Sequence, residues 1–195
     1  MTSARRADPL PSVAVWPLHV RVMHWALALS VAISWLTDEA TLGPHQAAGY
    51  LAAALVIVRL LVGFLGSGEH VRFSAFVRAP GAVWHYAREV IRHRDPRFLG
   101  HNPLGGWMIC ALLLCVLVTS LTGWLYTLDA FWGYAWLEWT HRASAWLLLV
   151  LIGGHLGGVL FTSRRHRENL VVAMLTGRKA VHPVQPSRPA SGRKA

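Results

Sequence analysis

The sequence predicts an all-α, four-helix transmembrane bundle with an interfacial amphipathic helix in the cytoplasmic loop, and three observations carry that prediction. Hydrophobic residues make up 54% of the 195-residue chain and charged residues only 14%. The apolar residues gather into four runs, near 20–37, 46–65, 104–126 and 140–162, each about long enough to cross a ~30 Å hydrocarbon core. Seventeen of the nineteen Lys and Arg lie in the termini and the 66–103 connection, alternate segments that four spans would place on one side. Four histidines, His24, His45, His141 and His155, lie within or at the mouth of the runs, where ionisable groups are costly and mark function.

Taken in order, residues 1–15 read as a short polar N-terminal arm and 16–179 as one membrane domain. The first apolar run begins after Arg21 with no small-residue cleavage site behind it, so it reads as a retained span and not a removed signal peptide. The connection 66–103 is the longest and is too long to lack structure of its own. Within it Pro80 is placed to start a helix, and Val83, Trp84, Ala87, Val90 and Ile91 recur at helical spacing beside Arg88, Arg92 and Arg94. That pattern predicts a helix lying on an anionic membrane surface. Cys110 and Cys115 in the third run point about 140° apart on a helix, which excludes a disulfide between them. A second short amphipathic stretch is expected from Arg167 to Leu175, and 180–195, rich in Pro, Ser and Arg, reads as a disordered basic tail.

A net charge of +10 raises the question of nucleic acid, and its distribution answers it. Of nineteen Lys and Arg, three lie at or before residue 21, six between 66 and 103, and eight after 163, leaving Arg59 and Arg142. Loops 38–44 and 127–139 carry Asp38, Glu39, Asp129 and Glu138 and no basic residue. Four spans put every basic segment on one side, which the positive-inside rule assigns to the cytoplasm, together with both termini. The charge is therefore topological, and no nucleic-acid partner is expected. Tryptophans agree: Trp16, Trp25 and Trp107 fall toward the inner interface, and Trp35, Trp124, Trp132, Trp136 and Trp139 toward the outer one.

That topology turns the histidines into a geometry. His141 and His155 are fourteen residues apart on the fourth run, which puts them on nearly one helix face, roughly 21 Å apart in depth. His45 opens the second run at the outer surface, level with His141, and His24 lies just past the inner end of the first, level with His155. Paired imidazoles from facing helices are the ligand set of a low-spin haem iron, whose electronics the protein tunes through its axial ligands and burial. Two stacked metal centres are expected, at two depths of the membrane. No Cys-x-x-Cys-His occurs, so covalent c-type haem is excluded. Gly49 lies one turn after His45, and Gly154, Gly157 and Gly158 surround His155, where a flat macrocycle would approach the backbone.

Arg59, fourteen residues after His45, shares that face and reaches the inner level. A charge within a span faces the interior with a partner, and a haem propionate matches the guanidinium fork. His101, in the Gly-His-Asn-Pro stretch before the third run, is a candidate for an inner-haem edge or quinone pocket. His19 reads as interfacial. His70, His85, His93, His166 and His182 read as solvated among basic segments.

Several of these stretches resemble the bacterial cytochrome b561 family, whose superfamily includes the b-type subunits of nickel–iron hydrogenases. They are His24-Trp25, His45-Gln-Ala-Ala-Gly49, Arg59 through Gly63, Gly100 through Trp107, His141 through His155 with Gly157-Gly158, and Arg167 through Leu170. The resemblance covers about residues 15–179 and implies a membrane cytochrome holding two non-covalent b haems on His24, His45, His141 and His155. It implies electron transfer across the bacterial inner membrane, between the quinone pool (ubiquinone) and a periplasmic c-type cytochrome. The alternatives are a superoxide or quinone oxidoreductase acting at its own site, and a histidine-based metal transporter. The expected partners are the lipid bilayer, quinone and that cytochrome, which Asp38, Glu39, Asp129 and Glu138 would recognise. Association into a homodimer is left open by the sequence.

Overall fold

The computed structural model describes residues 12–37, 42–66 and 71–180. The Asp38–Glu39 part of the acidic rim, His70, His182 and the tail from 181 on lie outside them, as does the arm up to residue 11. The described chain is mostly helical. Its long elements are α1 (Leu18–Leu36), α2 (Leu42–Leu65), α5 (Pro103–Tyr126) and α6 (Ala135–Arg165); the short helices are α3 (Phe73–Phe76), α4 (Pro80–Ile91) and α7 (Leu170–Thr176). Among the described residues, α2, α5 and α6 are long and apolar enough to cross a membrane. Helix α1 is 19 residues long and carries His19, Arg21 and His24 in its first two turns, which dilutes its apolar character.

The helix boundaries follow local chemistry. Asn102 caps α5 by accepting from the Gly105 amide at 2.7 Å, with Pro103 behind it as the first helical residue, where a missing N–H costs nothing. Asn169 caps α7 in the same way from Val172 at 3.0 Å. Gly177 ends α7 with φ of +79°, a left-handed conformation that glycine adopts freely. Helix α6 runs 31 residues, about 46 Å, so it projects well beyond a ~30 Å apolar layer, and Arg164 and Arg165 sit in its last turn.

The long helices pack serially: α1 on α2, α2 on α5 and, most extensively, α5 on α6. No comparable backbone packing joins α6 back to α1. The core lies between α2, α5 and α6 around Ala52, Val56, Leu113, Cys115, Val116 and Leu148, closed at one end by Phe73 and Phe76 of α3. Gly63 and Gly106 admit that plug, since a Cβ at Gly63 would fall 2.2 Å from the Phe73 ring and one at Gly106 2.7 Å from the Phe76 carbonyl. Outward-facing Leu29, Leu61, Leu114, Val150, Leu156 and Phe161 are exposed. In water so much apolar surface would drive association; facing lipid chains it carries no such cost.

The basic end holds structure that the sequence reading did not contain. Ser12–Ala14 (β1) pairs antiparallel with Arg178–Ala180 (β2), Val13 opposite Lys179, so the segment entering α1 is bound to the one leaving α7. Two buried acids anchor the surroundings. Asp95 accepts from Arg165 Nε at 2.7 Å and lies 3.1 Å from His166 Nε2. Glu168 pairs with Arg97 and, at 3.4 Å, with Lys179. His166 is therefore largely enclosed by this network, its side chain 15% exposed, a correction to its expected solvation. His93 too is engaged, its Nδ1 accepting from Arg165 at 2.7 Å.

Burial alone would raise the Asp95 carboxyl, but the hydrogen bond and charge of Arg165, with His166 nearby, hold it below the ordinary 3.8. A depressed carboxyl stabilises the fold above its unfolded value and loses that contribution as pH falls through the folded one. Asp95→Asn is expected to lower the unfolding free energy by about 1.5–3 kcal/mol at pH 7. It should also flatten the acid loss below about pH 4, read by thermal denaturation in detergent across pH. Gly63→Leu is expected to cost about 1–3 kcal/mol by driving a side chain into the Phe73 ring, measured in the same way.

Candidate metal centres

Helix α6 carries His141 near its start and His155 further along it, and the serial packing gives each a facing helix. The His155 ring centre lies 6.4 Å from that of His24 on α1, with 49° between the ring planes. The His141 ring centre lies 6.3 Å from that of His45 on α2, with 68° between planes. The structure thus brings together the four histidines as two pairs, fourteen residues apart along α6. No hydrogen bond joins the rings of either pair among the described residues.

The far-end pair is held by backbone. His45 Nδ1 donates to the Ser34 carbonyl at 2.9 Å, and His141 Nδ1 donates to the Thr119 carbonyl at 2.9 Å. With Nδ1 spent in this way, each Nε2 is left for a ligand. A polar seam explains why Thr119 is where it is. Thr119 Oγ1 donates to Ser144 Oγ at 2.9 Å, Cys115 Sγ donates to the Ser144 carbonyl at 3.2 Å, and Ser144 Oγ donates to the His141 carbonyl at 3.0 Å. Gly123 completes the site, because a Cβ there would lie 2.9 Å from His141 Cε1. Cys115, Thr119 and Thr122 recur at spacings of four and three on α5, a polar stripe on an apolar helix that could have been read from the sequence. Ser34, Ser144 and Gly123 carried no such signal.

At the basic end His24 Nδ1 is buried with no hydrogen-bond partner among the described residues. Arg59 donates Nη2 to the Val71 carbonyl at 3.2 Å and lies 4.8 Å over the Phe73 ring. Its Nη1 is buried and unpartnered among the described residues. His101 lies between Trp16, at 4.4 Å, and Phe76, at 4.9 Å between ring centres, with its ring tilted against both. A Cβ built at Gly49 or at Gly158 meets no protein atom within 4 Å, so space beside His45 and His155 is left open.

These residues fit a haem. With metal–nitrogen bonds of about 2.0–2.1 Å, two imidazoles on opposite sides of one iron have ring centres about 6 Å apart, as both pairs do. The macrocycle brings the other four nitrogens, so the protein needs only two ligands per iron. A zinc site would need three or four, and among the described residues no three His, Cys, Asp or Glu side chains converge to hold an ion.

The family model described as prokaryotic cytochrome b561 matches residues 15–177. The chain is also similar to the probable Ni/Fe-hydrogenase B-type cytochrome subunit of Bradyrhizobium diazoefficiens, 24% identical with 91% of this chain and 90% of that protein covered. The subunit of the same name from Rhizobium leguminosarum bv. viciae is 25% identical, with 86% and 89% covered. That of Azotobacter vinelandii is 23% identical, with 85% and 88% covered. No solved structure matches. The helical, lipid-facing chain and its paired imidazoles thus belong to the prokaryotic cytochrome b561 family, the b-type haem proteins that carry electrons in membranes.

Proposed function

We propose that the chain holds two non-covalent b haems and passes electrons across the bacterial inner membrane, between the quinone pool and a periplasmic redox partner. The observation that carries this is the pair of imidazole pairs, with ring centres at 6.4 and 6.3 Å and ligands fourteen residues apart on α6, about 21 Å. His24 with His155 are the ligands at the cytoplasmic end, and His45 with His141 at the periplasmic end. Helix α1 is the fourth span, with His19 and Arg21 at the inner interface. Both termini are cytoplasmic, and α4 lies on the inner leaflet. A bound b haem supplies a one-electron iron couple, and bis-imidazole ligation leaves no open position on the metal.

The other residues position and enclose. Gly49 and Gly158 let the macrocycle approach α2 and α6, since no protein atom fills the space beside them. Arg59 turns its free Nη1 to a propionate of the inner haem while Val71 and Phe73 hold the rest of its guanidinium. His101, between Trp16 and Phe76, stands at the edge of a site for ubiquinone.

On the periplasmic side the partner is a c-type cytochrome or a hydrogenase. The names of these similar proteins, each a probable Ni/Fe-hydrogenase B-type cytochrome subunit, favour the second. For the first, an acidic rim was the expected docking device. Glu138 lies 3.4 Å from Arg142, however, so among the described residues Asp129 is the acid left to attract a basic surface.

A pyridine haemochrome assay of the purified protein is expected to give two b haems per chain. His155→Ala and His45→Ala should each reduce this to one, and absence of a haem b α-band would refute the haem reading outright. Reversing Asp129 to Lys should slow electron transfer to a basic c-type cytochrome severalfold and weaken its salt dependence. An unchanged rate in stopped flow, with transfer to a hydrogenase intact, would decide for the hydrogenase.

A further inference from the structure

The two imidazole pairs are not built alike, and we infer that the far-end site is the one of lower reduction potential, set there by the Ser34 and Thr119 carbonyls, with Gly123 making room for the His141 ring. This rests on the two-haem reading above and adds to it an order of potentials and the residues that impose it.

Both far-end ligands spend Nδ1–H on a backbone carbonyl at 2.9 Å. Such a bond makes the imidazole a stronger donor through its other nitrogen, and a stronger axial donor stabilises the oxidised iron. The bonds are fixed, because each acceptor is helix backbone. Thr119 is further tied to α6 through Ser144, whose hydroxyl returns to the His141 carbonyl. Gly123 sits against the ring edge, where a Cβ would lie 2.9 Å from Cε1 and 3.2 Å from Nδ1. Any side chain there must push the ring away from the Thr119 carbonyl. Gly123 is thus a positioning residue that acts through His141.

The basic end is built in the opposite sense. His24 has no hydrogen bond to either ring nitrogen among the described residues, and its Nδ1 is buried. Arg59, which shares the face of His45 fourteen residues further along α2, brings a positive charge to the level of that pair, and nearby positive charge favours the reduced iron. Ligand donation lowers the potential at the far end and charge raises it at the basic end. The two effects add, and an electron on the chain rests preferentially at the basic end.

Potentiometric titration of the purified full-length holoprotein tests this, followed in the visible spectrum and by low-temperature EPR of the oxidised form. Two one-electron steps are expected, the lower one missing from His45→Ala and the higher one missing from His24→Ala. Gly123→Ala should raise the lower step by about tenfold in its reduction equilibrium, about 59 mV for one electron, displace one of two low-spin EPR signals and leave the higher step unmoved. If Gly123→Ala empties the far-end site, Thr119→Val supplies the measurement: it removes the hydroxyl that ties the carbonyl's helix to Ser144 and should shift the same step upward by less. Loss of the lower step in His24→Ala instead of His45→Ala overturns the inference, and so does a lower step unmoved in the haem-loaded variant. Fewer than two haems in the parent protein overturns the two-haem reading itself, a distinguishable result.

Discussion

Two imidazoles must face each other about 6 Å apart without touching, and this standoff governs the arrangement of the helices. Side chains packed to ordinary core density would close such a gap. The bundle avoids closure by its order of packing. Helix α6 is carried on α5, α5 on α2 and α2 on α1, while α6 and α1 face each other across ring pairs such as His24 with His155 and Trp35 with Trp146. The seam between α5 and α6 therefore bears the burden of fixing α6, and hydroxyl and thiol groups hydrogen-bonded along it set its register. Polar contacts between helices are worth about 0.6 kcal/mol each in lipid, so their effect here is on register more than on stability.

The two ends of the molecule solve different problems. At the far end the ligand rings are held by backbone carbonyls, and the Glu138–Arg142 ion pair nearby is solvent-exposed. At the basic end, where α6 runs past the apolar layer, two acids gather three cations and a histidine. Asp95 holds Arg165 and His166, Glu168 holds Arg97 and Lys179, and His93 is joined through Arg165. Without those carboxylates the converging basic segments would repel one another. The same collar, with the β1–β2 pairing, brings Trp16 down over His101 and so covers the proposed quinone edge.

Much of the fold was legible because lipid simplifies the rules. Lengths of apolar sequence, the concentration of arginine in alternate segments and an Asn-Pro or Pro start each map onto an observed helix: Pro80 opens α4 and Asn102 caps α5. The placement of four histidines at two levels was likewise readable, because helical rise converts sequence separation directly into depth. The strand pairing of residues 12–14 with 178–180 was not readable. It joins segments more than 160 residues apart, and three-residue strands carry no periodic signal. The burial of His166 was missed for a related reason: its partner Asp95 lies in a different connection, and a mostly basic neighbourhood gave no cause to look for it.

The sequence by itself determined the class of protein, the depth of each candidate ligand and the separation of basic from acidic ends, since all three depend on position along single helices. Tertiary structure alone decided which backbone carbonyl each imidazole meets, that Gly123 rather than a bulkier residue lies against His141, and that Arg59 is shared between Val71, Phe73 and a free Nη1. Those outcomes depend on the rotation and offset of one helix against another. Such offsets are fixed by side chains interlocking across interfaces, and a single chain read in order holds no direct trace of them.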